Sequence, residues 1–286
     1  MRKPPLTLQN TTMQFKYRIF IPYIFLLFVG CSLLPNKMKT AEQLMETSPD
    51  SALYLLQQIK PNQSLSNADR ALYGLLLFEA LDKNKLALQP DSAINFSIEY
   101  YQNKNNKDQL AKCYFYKGRM YKYAQHYDEA TEVYLKALDN CQEKKDYELL
   151  GKIYSDMGEV CVWQSEYPEA RKKYQLAIDC LNKIGKTIEV SYRLLDIGKT
   201  YYSTKNYKKA EQYFRMALKE TKDSALTGAA NQEIGINYLS ARLYDSAEFY
   251  LRKSLHFKGN SSIRYYKFAD LFFRSRNMIQ QLFTLD

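Results

Sequence analysis

Apolar and polar residues alternate with helical spacing through the second half of the chain, four times over. Tyr127, Ala130, Tyr134, Ala137 and Leu138 form the first set. Tyr167, Ala170, Tyr174, Ala177 and Ile178 form the second, and Tyr207, Ala210, Phe214, Ala217 and Leu218 the third. Tyr244, Ala247, Leu251, Ser254 and Leu255 complete the series. Steps of three and four residues bring each set onto one face of a helix. The sets recur at intervals of 40, 40 and 37 residues. Twelve residues before each alanine stands a glycine: Gly118, Gly158, Gly198 and Gly235. Glycine inside a helix costs about 1 kcal/mol relative to alanine, so four in one phase need a packing reason. The pattern predicts a first helix pressed against the alanine of a second, with no room for a side chain between them. After Pro90 the only proline is Pro168. It is predicted in the first turn of its helix, where a missing N–H costs nothing.

Each glycine is followed three residues on by Tyr121, Cys161, Tyr201 or Tyr238, and preceded four residues back by Tyr114, Tyr154, Leu194 or Asn231. This arrangement resembles the tetratricopeptide repeat (TPR), with Asn231 departing from the large residue usual at its place. The resemblance implies an all-α fold, a TPR-like α-α superhelix or solenoid of antiparallel helix pairs. The clear copies span 111–140, 148–181, 188–220 and 225–257, within a repeat region of 41–260. Residues 41–103 are a degenerate part, with Ala52, Leu56 and Ile59 at the same spacings. A period of 40 exceeds the usual TPR length of about 34 and implies longer helices or loops. The segment 261–286 reads as a C-terminal helix of an incomplete repeat. It carries Ala269 and Phe272 in the expected places but Gln281 where an alanine should follow. Its apolar Leu271, Phe272, Phe273, Leu282 and Phe283 imply that it docks back on the stack or meets a partner.

The TPR resemblance also implies a groove lined by the first helices. Its inward places fall on Lys112, Phe115, Arg119, Lys122 and Tyr123, then on Lys152, Ser155, Glu159, Val162 and Trp163. The third copy contributes Tyr192, Leu195, Lys199, Tyr202 and Ser203. Such a wall is aromatic and basic, and Tyr, Trp and Arg concentrate binding energy at interfaces. The expected ligand is an extended or helical peptide, including one that carries acidic residues. Asp156, Glu159 and Asp196 stand at helical spacing and are expected to be solvated or to face a partner.

The N-terminus changes the picture. Lys16 and Arg18 precede an apolar run from Ile19 to Val29, closed by Gly30 and Cys31. A positive head, a short apolar middle and a small residue at the end make a secretory signal, here residues 1–30. The run of 11 residues is shorter than the roughly 20 that span a bilayer. "FVGC" is similar to the lipobox of bacterial lipoproteins, with Phe28 in place of the preferred leucine. That resemblance implies diacylglycerol on Cys31, cleavage before it and a further acyl chain on the new amine, with 31–40 as a linker. Several chains anchor a protein far more firmly than one. No acidic cluster follows Cys31, which favours the periplasmic side of the envelope over surface display.

The formal charge is +10, and removing the four cations of the signal leaves +6. Acids and bases are interspersed, which points to a solvated surface and away from nucleic acid. Cys113, Cys141, Cys161 and Cys180 remain beyond the anchor. Their spacings match no metal motif and are expected to be those of buried or half-buried thiols. His126 and His256 are the only histidines, and phosphate-binding, zinc-peptidase and serine-hydrolase motifs are absent. No cofactor is expected, and no catalysis.

The cysteine-anchored start, "AEQLMETSPDSALYLLQQI", "LLLFEALDKN" and the repeats together resemble envelope TPR proteins of Gram-negative bacteria. Many of those continue into a membrane helix and a regulatory part. The expectation is a lipid-anchored scaffold that binds another envelope protein or a peptide. An outer-membrane assembly factor, the sensing half of a regulatory system and a glycan-binding lipoprotein are the alternatives.

Overall fold

A computed structural model describes residues 36–59, 65–89, 91–141, 146–257 and 270–271 of the chain. The signal 1–30, Cys31 and most of the segment 261–286 lie outside the described residues. The described secondary structure is helical, without a strand, and none of the described helices is long and apolar enough to cross a membrane. Helix α1 covers 36–44. It is followed by α2 (Pro49–Gln57), α3 (Asn67–Lys83), α4 (Asp91–Asn103), α5 (Lys107–Tyr123) and α6 (Tyr127–Cys141). Then come α7 (Tyr147–Trp163), α8 (Tyr167–Lys183), α9 (Thr187–Ser203), α10 (Tyr207–Glu220), α11 (Ser224–Ser240) and α12 (Tyr244–Leu255). The chain divides into two compact units, Met1–Lys117 and Gly118–Asp286.

In the first unit, Met38, Met45, Leu53, Leu56, Leu76 and Leu77 pack into one core. Gly74 of α3 meets α4 so closely that a Cβ would lie 2.6 Å from the Ala93 carbonyl oxygen. The Ser97 hydroxyl beside it donates to the Ala71 carbonyl at 2.7 Å. The worn sequence thus keeps a glycine contact that its letters do not advertise.

In the second unit, helix length sets the period. Helices α7, α8 and α9 each have 17 residues, separated by the three-residue turns 164–166 and 184–186. Helix α10 has 14, and that shortening produces the step of 37. From α7 to α10 the longer period therefore resides in the helices and not in the turns. The turns inside the repeats share one geometry. The Glu166 N–H donates to the Cys161 carbonyl at 2.7 Å, and the Ser165 N–H to the Val162 carbonyl at 3.0 Å. Those two bonds, with Ser165 at φ 62°, close the orphan carbonyls of a helix end in a Schellman motif. Gln125, Lys205 and Arg242 take the same left-handed place in the equivalent turns. Helix starts are capped by side chains: Asp146 accepts from the Leu149 N–H, Asn206 from Lys209 and Asp223 from Leu226. Pro168 sits in the first turn of α8.

The phased glycines do mark close helix packing, but the neighbour differs from the sequence expectation. A Cβ on Gly118 would lie 2.5 Å from the Tyr134 ring, and one on Gly158 2.5 Å from the Tyr174 ring. Gly198 faces the Phe214 ring in the same way, and Gly235 faces Leu251 at 2.7 Å. Ala130, Ala170, Ala210 and Ala247 are fully buried, yet the glycine is filled by the bulky residue one turn further on. The crossing of the two helices brings that side chain over the glycine. Stacked tyrosines join the first and second helix within the last two pairs, and an arginine of the preceding repeat adds to the first stack. Tyr201 lies against Tyr213 with centroids 5.5 Å apart, and Tyr238 against Tyr250 at 5.7 Å. Arg171 caps the Tyr201 ring at 4.4 Å.

Asn231 fills the place that Leu194 takes one repeat earlier. It is fully buried, its Nδ2 donates to the Thr227 carbonyl at 2.7 Å, and its Oδ1 has no hydrogen-bond partner among the described residues. A buried acceptor left unmet costs about 1–3 kcal/mol. Asn231→Leu is expected to stabilise the chain by about 1–2 kcal/mol, read as a higher urea midpoint. An unchanged or lower midpoint would show that the amide is satisfied after all. Leu271, in the C-terminal segment, is buried against Leu239, Ala247 and Leu251.

Candidate functional site

The first helices of the second unit carry a row of ion pairs. Arg119 Nε donates to Asp156 Oδ2 at 2.7 Å, and its Nη2 to Oδ1 at 3.3 Å. Lys122 Nζ lies 3.1 Å from Asp156 Oδ1 and 2.7 Å from Glu159 Oε2. The Tyr134 hydroxyl donates to Asp156 Oδ2 at 3.1 Å. Asp156 and Lys122 are both buried. Burial alone would raise the Asp156 pKa, but the Arg119 and Lys122 charges and hydrogen bonds outweigh it and hold the carboxyl below its ordinary value. Burial, with the Asp156 charge beside it, pushes the Tyr134 phenol up. The row continues on α9 and α11. Arg193 lies 3.9 Å from Glu159 and 3.0 Å from Asp196. Lys199 lies 3.6 Å from Asp196 and 4.0 Å from Glu233.

These contacts correct two expectations. The wall is not a free basic surface, because carboxylates of the neighbouring first helix neutralise it. Asp156 is not solvated either; it is the buried centre of the row. The sequence does hold the signal: Arg119 and Asp156 stand 37 residues apart, and Lys199 and Glu233 stand 34 apart. Each interval is one repeat less a helical turn.

The expected groove residues scatter in environment. Phe115 is a core residue, 2% exposed and edge-on to Tyr116 at 5.1 Å; an aromatic ring gains more from burial than from lining a wet groove. Leu195 and Ser155 are buried as well, the Ser155 hydroxyl donating to the Gly151 carbonyl. Lys112 is half-buried in the first unit. Lys152 is exposed and paired with Glu148 at 2.7 Å. Tyr202 and Val162 are half-buried, and the Tyr202 hydroxyl meets that of Ser240 at 2.8 Å. Ser203 is exposed. Tyr123, Trp163 and Tyr192 are 56%, 69% and 42% exposed.

One cleft gathers part of the set. Arg119, Lys152, Ser155, Glu159 and Tyr192 line it together with Gly151, Asp156, Leu181, Glu189 and Arg193. Its volume is about 200 Å³, below the roughly 300–1,000 Å³ of small-molecule sites and suited to a single side chain. Sequence reading missed Leu181, Glu189 and Arg193, which lie outside the places the repeat pattern assigns to the groove. Among the described residues no group of His, Cys, Asp and Glu is arranged to hold a metal. His126 is exposed and stacks on Tyr121 at 6.2 Å; His256 is exposed too. Cys113, Cys141 and Cys161 are buried thiols and Cys180 is half-buried; burial pushes the Cys113 thiol well up.

The tetratricopeptide repeat family profile matches residues 149–222, which span α7 to α10. No curated protein matches the chain. Solved structures share the fold at low identity. The apo form of RapI is 14% identical, with a TM-score of 0.67 over 88% of this chain and 74% of that one. NprR in complex with its cognate peptide NprX is 14% identical, with a TM-score of 0.56 over 84% of this chain and 73% of that one. A signal-transduction ATPase with a tetratricopeptide repeat sensor, from Pyrococcus horikoshii, is 17% identical with a TM-score of 0.68. This chain is covered over 91% and spans 42% of that protein. With glycine-nested pairs, a family match in the middle of the chain and these neighbours, the fold is a TPR-like all-α solenoid.

Proposed function

We propose that the chain is a non-catalytic scaffold, anchored in the bacterial envelope through acylated Cys31, that binds another envelope protein or a peptide along its first helices. One observation carries the binding part. Tyr123 and Trp163 occupy the same place on consecutive first helices, and both are more than half exposed. A large exposed aromatic is informative where an exposed small residue is not, and tryptophan and tyrosine dominate interface energies. The NprR complex with a peptide supports the reading by fold, as does the side-chain-sized cleft beside Tyr192. The lipid anchor rests on "FVGC" and on the signal before it. The sensing-half alternative draws support from the repeat sensor of the Pyrococcus horikoshii protein.

The test is cross-linking of the tagged full-length chain in its own cells. Tyr123→Ala/Trp163→Ala is expected to lower recovery of the cross-linked partner at least about tenfold, a loss of about 1.4 kcal/mol. Equal recovery would count against the groove. In the same fractions, Cys31→Ser is expected to move the chain out of the membrane pellet; retention there would remove the anchor from the reading.

A further inference from the structure

The ion pairs on the first helices decide what kind of segment that face accepts. Building on the peptide-binding reading, we propose that the face selects an uncharged segment with apolar or aromatic anchors, and rejects an acidic one.

The charge arrangement carries this. Each wall cation of the second unit already has a carboxylate beside it: Arg119 has Asp156, Lys122 has Asp156 and Glu159, and Arg193 has Asp196. Lys199 lies between Asp196 and Glu233. At the rim, Lys152 is held by Glu148. Cations and acids balance along the row, so no net positive field draws a carboxylate in. An incoming acid would have to displace a partner and would then lie against that partner's charge. Like charges brought together at an interface disfavour the complex strongly. A neutral segment meets no such barrier. Its main-chain N–H and carbonyl groups match a wall on which acceptor and donor side chains alternate.

What this face leaves uncompensated is apolar surface. Trp163 is 69% exposed, and Ile188 and Tyr192, one turn apart on α9, are 46% and 42% exposed. The cleft beside Tyr192 has Gly151 and Leu181 in its lining, room for one aliphatic, aromatic or amide side chain.

The probe is a phage-displayed library of random peptides of about a dozen residues, panned on the immobilised full-length chain and in parallel on its Trp163→Ala variant. The expected winners are rich in Trp, Phe, Leu and Ile, hold Asp and Glu at or below library frequency, and lose affinity on the variant. A synthetic winner is expected to change affinity less than about twofold between about 50 and 500 mM NaCl, because screening has little net charge to act on. Placing two glutamates in it is expected to weaken binding at least about tenfold. Acid-rich winners, or a tenfold loss in salt, would overturn the proposed selectivity and leave peptide binding standing. Winners that bind the variant equally well, or no winners at all, would overturn the peptide-binding reading and the selectivity with it.

Discussion

Asp156→Ala is expected to lower the unfolding free energy by about 3–5 kcal/mol, the usual cost of removing one partner from a buried ion pair. Two cations depend on this carboxylate. The Lys122 side chain is 6% exposed and Arg119 23%, so water cannot take over the lost interactions in full. The Tyr134 hydroxyl also loses its acceptor. The effect carries a pH signature. Asp156 titrates below its ordinary value in the folded chain. Its contribution is therefore complete above the unfolded carboxyl pKa of about 3.9 and is lost as pH falls through the lower folded value. The gap between wild type and Asp156→Ala should be widest near neutrality and should close in acid. Urea unfolding of both chains across that range measures it. A loss below about 1 kcal/mol, the size found for exposed pairs, would show that the row is solvated.

Gly158→Ala is the second large effect, with an expected cost of about 1–3 kcal/mol, the range for forcing a group into a packed interior. The sign is what makes it informative. Helix propensity alone predicts a gain of about 1 kcal/mol for the same change. The new methyl would stand 2.5 Å from the Tyr174 ring, a ring 2% exposed and packed in a core with Ala170, Ile178 and Leu194. It has no open space to swing into. Gly118→Ala against Tyr134 should behave alike.

The helix pairs were legible in the letters because their signals are local and repeat: the three-and-four stripe from Tyr127 to Leu138, and the glycines in phase. What lies against Gly158 was not, since Ala170 and Tyr174 share one face and only the crossing of the two helices decides which covers it. The ion row was hidden for a related reason. Arg119 reads as a groove cation until the offset between adjacent first helices brings Asp156 beside it, and no single repeat contains that offset. Phe115 was misplaced because the place it takes is buried in every copy: Phe115, Ser155 and Leu195 are all core residues, and the repeat pattern alone does not separate a place that lines a groove from one the neighbouring helices cover. The exposure of Trp163 and Tyr123 is local in origin, because each stands at the last turn of its own helix. The cleft was only half visible, because Leu181 and Arg193 come from the end of one repeat and the start of the next.

A double-mutant cycle between Gly158→Ala and Tyr174→Ala, read by urea unfolding, tests most directly that the helices nest ring on glycine. The ring truncation should cost about 3–5 kcal/mol on its own. With the ring gone, the added methyl should become cheap or even favourable, giving a coupling of about 1 kcal/mol or more. Costs that simply add, with the methyl equally harmful whether or not the ring is present, would contradict the nesting.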